Sequence, residues 1–302
     1  MTVARREHFG LLLEPGLRKI FYNEYAELPS MIKEIFNVQS TDKAYEKDGH
    51  IGAMNGFPKF QGTVEYSRMY EGYTKTYEFP EYASGFQIER KAFDDAEYGI
   101  INKQPVGLAI EATRTREEHA AEIFNNAITN TDGFDGKALI ATDHPTKAPD
   151  GPSERSNRHA LELNHANLQT VKTAMRKTKN DRGNQIAVVP DVLLVPVDLE
   201  EEAYQLVTSP GVLGQHSADT NPSIHHGRLK VIVWDSLSNA KSWFLIDSKY
   251  SKLFLNWFDR VPIEFAWAED FDTLVAKYRA YMRYEAGWSD WVWVAGSNPD
   301  WA

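Results

Sequence analysis

Between Gln61 and Lys91 apolar and polar residues alternate in short runs, with Val64, Tyr66, Arg68 and Tyr70 set against Thr63, Glu65, Ser67 and Met69. A period of two is the mark of a strand, and breaks at Gly72, Pro80 and Ser84-Gly85 divide the stretch into two or three of them. Its aromatic residues (Tyr66, Tyr70, Tyr73, Tyr77, Phe79, Tyr82, Phe86) are interleaved with Glu65, Arg68, Glu71, Lys75 and Glu78. So small a ribbon is marginal alone. The pattern therefore predicts an arm that shelters its aromatic face on another surface, and the surface expected is a second copy of the chain. Tyr66, Arg68, Tyr70, Tyr73, Lys75 and Tyr77 are the candidate inter-subunit contacts.

Upstream, Leu17, Ile20, Phe21, Tyr25 and Leu28 give a short amphipathic helix that Pro29 ends. Ser30 can cap a second one through Ile32, Ile35 and Phe36, after which Gln39 to Phe60 is polar, Gly-rich and aperiodic. Downstream, Phe93 to Ile101 is helical in pattern. Pro105 to Ile128 predicts a long helix, about 36 Å at the usual rise, with Leu108, Ala109, Ala112, Ala120, Ile123, Phe124 and Ala127 as its apolar stripe. Its polar middle, Thr113 to His119, should leave one face open to solvent or to a neighbouring subunit.

Gly133-Phe134-Asp135-Gly136 then breaks the chain, and Lys147 to Arg158 reads as a surface loop and domain boundary. An α/β pattern follows. It comprises a helix through Leu168, Val171 and Met175, a buried strand from Ile186 to Val197 interrupted at Pro190, and a helix from Leu199 to Val207. The Ser209–Gly227 loop is long enough to be suspected of function. Strands are predicted at Leu229–Trp234, Ser242–Ile246, Leu253–Trp257, Val261–Ala268 and Leu274–Trp288, with Trp291 to Val294 closing the fold.

Composition narrows the choices. The chain has 302 residues, 42% hydrophobic and 25% charged, an ordinary globular make-up with room for one elaborate domain or two modest ones. A net charge of −10 argues against general nucleic-acid affinity, and the lack of cysteine removes disulfides and thiolate chemistry. No apolar signal core follows the N-terminus, and no apolar run approaches the roughly 20 residues that cross a bilayer. A soluble protein made in the cytosol, with no membrane partner, is expected. Five of the eight Trp lie from Trp267 onward, a clustering that suits interfaces, although for any single Trp a packed core is the better reading.

Chemistry is sparse. Gly211-Val212-Leu213-Gly214 lacks the Lys-Ser/Thr of a phosphate loop. His225 and His226 are adjacent and point apart, and His159 and His165 have the wrong spacing for one helix face, so surface histidines are expected. Asp143 should cap a turn that Pro145 fixes rather than orient His144 for catalysis. The carboxylate groups Glu117-Glu118, Asp94-Asp95, Glu200 to Glu202, and Asp270 with Asp272 read as a helix N-terminus and solvated faces. No catalytic, cofactor-binding or metal-binding residue is expected, and an enzyme is not. One competing reading remains, a carbohydrate-binding module or glycosidase built on the Trp-rich C-terminus.

The order of the parts carries more information than any one of them. The Gly136–Pro145 segment, with Ala141-Thr142-Asp143-His144-Pro145, follows a long helix, and Val188-Val189-Pro190-Asp191-Val192-Leu193-Leu194-Val195-Pro196 leads into Leu199-Glu200-Glu201-Glu202-Ala203. In this order the chain resembles the major capsid proteins of tailed bacteriophages, and within them the Mu-like prophage major head subunit family. The resemblance implies an α+β fold of the Hong Kong 97 type. It implies an N-terminal arm (1–55), an extended β-loop lying over a neighbouring subunit (56–92), a peripheral domain with its spine helix (93–145), an axial domain (146–249) and return strands of the peripheral domain (250–302). It further implies hexamers and pentamers closing into an icosahedral shell around double-stranded DNA in the virion, assembled in the host cytoplasm. A separate scaffold, a portal and decoration proteins would be the partners, the scaffold because no long N-terminal helical extension is present. An encapsulin-like nanocompartment shell is the alternative of the same fold.

Overall fold

The structure is a computed structural model, and it describes residues 9–51, 56, 59–64, 66, 71–95, 97–147, 155–211, 223–270, 272–273 and 275–301. Helix α1 (Phe9–Glu27), helix α2 (Ile32–Ile35) and strands β1 (Asn37–Ser40) and β2 (Tyr45–Ile51) lead to β3 (Glu71–Glu78) and β4 (Glu81–Glu89). Two short helices, α3 (Arg90–Asp94) and α4 (Tyr98–Ile101), precede the spine α5 (Lys103–Asn125). Then come β5 (Arg158–His159), α6 (His165–Arg176), β6 (Val192–Val195), α7 (Glu200–Thr208), β7 (Lys230–Val233), β8 (Trp243–Ile246), α8 (Ser248–Phe254), β9 (Leu255–Asp270), β10 (Val275–Trp288) and β11 (Val294–Ser297).

Three sheets result, ordered β1-β9-β10-β4, β5-β11-β8-β6-β7 and β2-β3. The long antiparallel pair β9–β10 is the frame of the first sheet, with Trp288 opposite Leu255 and Val275 opposite Asp270. The alternation in β10 does what a period of two demands: Ala276, Tyr278, Ala280, Met282 and Tyr284 are buried. Ala276, Tyr278 and Ala280 pack with Leu17 and Phe21 of α1 and with Leu108 and Ala109 of the spine.

The second sheet is a wall shared by two cores. Val192 and Leu194 of β6, with Phe244 and Ile246 of β8, face a core that holds Phe124, Trp257, Trp291 and Trp293. Leu193, Val195, Trp243 and Leu245 face the other way, onto α6 (Leu168, Val171, Met175) and α7 (Ala203, Leu206, Val207). A strand covered on both faces reads as a continuous apolar run, and this one is Val-Leu-Leu-Val.

Two polar knots tie these layers together. The first lies on the middle of the spine. Arg116 forks onto Asp259 of β9 (Nη1–Oδ1 2.9 Å, Nη2–Oδ2 3.2 Å) and lies over Trp257 and Tyr284. Beside it, Glu117 accepts from the Met31 backbone N–H and from Trp234 Nε1, both at 3.1 Å, and His119 Nδ1 meets the Tyr284 hydroxyl at 2.6 Å. Only Arg114, Glu111 and Glu118 of that stretch form the exposed network expected of a solvated face. The second knot is buried. His144 bonds Asp135 through Nδ1 (2.8 Å) and Asn157 Oδ1 through Nε2 (3.1 Å) and stacks on Trp291 at 4.4 Å. Asn157 Nδ2 donates to the Leu139 and Val294 carbonyls, which fixes its Oδ1 as the acceptor.

Several expectations are corrected here. Helix α1 starts before Leu17 and runs through Pro15. Met31, not Ser30, is the α2 N-cap, and its own side chain makes no capping hydrogen bond. Phe93 to Ile101 is split between two short helices, and Gln39 to Phe60 holds the end of β1 and all of β2. Leu253 begins no strand: Asp247 caps α8, accepting from Lys249 and Tyr250 N–H, and β9 starts at Leu255. Asp143 pairs with Lys137, which lowers its pKa, while Asp135 rather than Asp143 holds His144. His225 is not on the surface; it is fully buried, its ring 4.7 Å from that of His165.

Candidate inter-subunit arm and its anchorage

Strands β2 and β3 run antiparallel, with Tyr45 opposite Glu78, Asp48 opposite Lys75 and Ile51 opposite Glu71. Among the described residues neither strand pairs with a third, so the ribbon carries open edges. The ribbon was legible only by half: β3 has aromatic alternation, whereas Tyr45-Glu-Lys-Asp-Gly-His-Ile is set by its ladder with β3 and shows no apolar face.

Along β3, Tyr73, Lys75 and Tyr77 turn to the chain's own body. The Tyr73 ring meets Phe134 edge-on at 5.8 Å, and the Lys147 ammonium lies 4.3 Å above it while donating to the Gly72 carbonyl at 2.9 Å. Lys75 Nζ donates to the Asp132 carbonyl at 2.5 Å. Tyr77 is 1% exposed, its ring 5.0 Å from Phe258 in a small cluster completed by Phe79. Gly287 makes room for it, because a Cβ there would stand 2.8 Å from Tyr77 Cε1. Burial raises the Tyr77 phenol far above its ordinary pKa, and burial followed by the Asp135 charge raises that of Tyr73. The even positions Thr74, Thr76 and Glu78 are exposed.

Three of the six candidate contacts are therefore the root of the arm, and Tyr77 has no surface to offer a neighbour. Tyr73, Lys75 and Tyr77 share one face of β3. The period-two reading assigned that face to another subunit because nothing local in sequence discloses Phe134, Phe258 and Gly287 as the receiving surface. Tyr66 is the opposite case, 90% exposed, in company with Phe60 at 69%, Val64 at 59% and Tyr45 at 59%. Arg68 and Tyr70 lie outside the described residues. Strand β4 is not part of the ribbon either: it pairs with β10 from Glu81–Arg283 to Glu89–Val275. Gly85, which looked like a break, sits inside it because a Cβ there would lie 2.2 Å from the Tyr278 carbonyl oxygen.

No cluster of three or more metal-ligating side chains occurs among the described residues, and no helix of theirs is long and apolar enough to cross a membrane. Of the C-terminal tryptophans, Trp288, Trp291, Trp293 and Trp301 are buried and offer no open ring face to a sugar, so the sugar-binding reading is not favoured. A sequence model of the phage capsid protein family matches residues 72–296, three quarters of the chain from β3 into β11. The chain belongs to the phage capsid protein family.

No curated protein matches this capsid protein in sequence. Among solved structures it is similar to the procapsid protein of bacteriophage JBD30, at 13% identity and a TM-score of 0.54, over 97% of this chain and 75% of that one. It is also similar to the mature capsid protein of bacteriophage PhiM1 (11%, 0.56, covering 90% and 87%). A virus-like particle protein from Pyrococcus furiosus matches as well (9%, 0.51, covering 94% and 98%). Likeness at such identity speaks for fold alone, and the fold is that of the Hong Kong 97 type capsid proteins.

Proposed function

We propose that this capsid protein is the major head subunit of a tailed phage, assembling as hexamers and pentamers into an icosahedral shell that encloses double-stranded DNA. The family match supports the phage shell over a nanocompartment. The observation that carries the self-assembly reading is the asymmetry of the arm: its root is locked into the body by Tyr73, Lys75 and Tyr77, while Phe60, Val64 and Tyr66 beyond it are exposed. A contact that must recur around a shell needs a rigid base and an apolar tip that finds cover on a neighbour. An aromatic so buried contributes about 1.5–3 kcal/mol before association costs. Tyr66 is thus the inter-subunit contact, joined by Arg68 and Tyr70 of the same alternation.

We read the chain as structural rather than catalytic. A separate scaffold, a portal and decoration proteins complete the head, and assembly takes place in the host cytoplasm. The packaged DNA is held without sequence recognition, in keeping with the acidic net charge of −10.

Expression followed by electron microscopy tests the reading, with Tyr66→Ser and Tyr77→Ser compared. Tyr66→Ser should leave the subunit's thermal unfolding unchanged and reduce shell yield. Tyr77→Ser should destabilise the subunit itself by about 3 kcal/mol, the scale of an emptied aromatic site. A parent chain that stays monomeric with scaffold supplied, or a Tyr66→Ser chain assembling as the parent does, defeats the proposal.

A further inference from the structure

Helix α6, β6 and α7 carry two patches of opposite charge at opposite ends of one domain. At the N-terminal end of β6 lies a cleft of about 400 Å³ lined by Lys172, Arg176, Lys177 and Arg228, with Val189 and Ile224 among its apolar lining residues. The parallel register, Val192 opposite Lys230, puts Arg228 at the same strand end as Val189. Among the described residues none of these four cations has a carboxylate partner. Burial, then Arg228 and Arg176, lowers the Lys172 pKa, so the cations work against one another. In a chain of net charge −10, a basic cleft without carboxylates of its own is complementary to an acidic surface.

The C-terminal end of β6 is the complement. Val197 and Asp198 lead into the first turn of α7, which holds Glu200, Glu201 and Glu202. Burial, then Glu162, raises the Glu202 pKa, so here the carboxylates crowd one another. The apolar residues match too. Between Glu111 and Lys252 the large hydrophobic side chains exposed among the described residues are Val189 (51%) and Ile224 (43%) at the basic end and Val197 (52%) and Tyr204 (45%) at the acidic end. Val189 precedes β6 and Val197 follows it, so the two lie beyond opposite ends of the strand.

We infer that the basic cleft of one subunit receives the acidic start of α7 from the next copy of the same chain. The contact is head-to-tail: Lys172, Arg176 and Arg228 meet Glu200 and Glu201, while Val189 and Ile224 cover Val197 and Tyr204. Two different complementary patches on one subunit are what a heterologous interface needs, and repeated by rotation they close a ring. Charge complementarity of this kind sets register and rejects wrong partners more than it adds affinity. The inference rests on the shell proposed above and names the surfaces that hold its rings together.

Charge reversal decides it, with the full chain and its scaffold. Arg176→Glu with Arg228→Glu, and separately Glu200→Lys with Glu201→Lys, place like charges in every ring contact. Each pair should raise the subunit concentration needed for assembly by about tenfold or more, with thermal unfolding of the free subunit close to the parent's because all four side chains are exposed. Combining the four substitutions restores opposite charges and should restore assembly. If each pair assembles as the parent does, the head-to-tail contact is wrong while the shell itself stands. Loss of retained DNA from those shells would then assign the cleft to phosphate. If the four together rescue nothing although the subunit is folded, the pairing is likewise refuted. A parent that forms no shell at all would instead sink the functional proposal.

Discussion

Replacing Asp259 by Asn removes the counter-charge of Arg116 and changes almost nothing else. The volume is kept, and one oxygen can still accept from Trp257 Nε1, now 3.0 Å from Asp259 Oδ1. The new amide, however, points donors at a guanidinium that is itself all donors. Arg116 cannot escape to water: its side chain is 13% exposed, that of Asp259 20%, and Trp257 and Tyr284 cover its face at 4.9 and 5.2 Å. Burial opposes the Arg116 charge, and Tyr25, Asp259 and Tyr284 outweigh it, keeping its pKa above the ordinary guanidinium value. Orphaning one member of a well-buried pair costs about 3–5 kcal/mol, and the residual exposure argues for the lower end, about 3. For a chain of this length that is a fall in Tm of about 5 °C. The assay is thermal unfolding of the unassembled subunit followed by circular dichroism. Arg116→Met combined with Asp259→Asn should lose less than Asp259→Asn alone, because no charge is left uncompensated. A single-mutant Tm within about 2 °C of the parent would mean that water screens the pair, and the account of the spine as an ionic anchor would be wrong.

Two further outcomes are expected. Burial, then His165, Lys172 and Arg228, pushes the His225 pKa down from 6.5 to about 4, so between those values the unfolded chain binds a proton that the folded one refuses. The stability from neutral His225 is fully present above pH 6.5 and is lost as the pH falls toward 4, by up to about 3 kcal/mol. Urea unfolding of His225→Gln should show a shallower loss over that window, and an unchanged slope would rule the residue out. Gly85→Ala should part β4 from β10, since its methyl would meet the Tyr278 carbonyl oxygen at 2.2 Å. It should cost about 1–3 kcal/mol and speed amide exchange from Tyr82 to Gln87, and unaltered exchange there would contradict the close approach.

The spine, the long alternation of β10 and the apolar run of β6 were all legible, because each is a local repeat with a local cause. A helix stripe or a strand face needs only neighbours three, four or two positions away. What escaped was polar. Arg116, Glu117 and His119 looked like one solvated face, and their partners Asp259, Met31, Trp234 and Tyr284 stand at distant positions with no pattern linking them. His225 escaped for the same reason, as did Asp247, whose capping of α8 turned an expected strand into a helix. In the arm Tyr77, expected as an inter-subunit contact, is buried against Phe258 of its own chain.

By itself the amino-acid order determined the spine helix, the alternation of β10 and the apolar run of β6, the lack of cysteine, and which side of those elements is apolar. It also carried the likeness to phage capsid proteins, in the sequence of its parts. Only the tertiary structure decided which surface each apolar side meets: Tyr77 on Phe258 within the chain, Tyr66 left uncovered, and β6 shared between two cores. The reason is physical. Periodicity records that a side chain must leave water, while the identity of what covers it is settled by contacts between residues far apart in sequence, such as the 143 positions between Arg116 and Asp259.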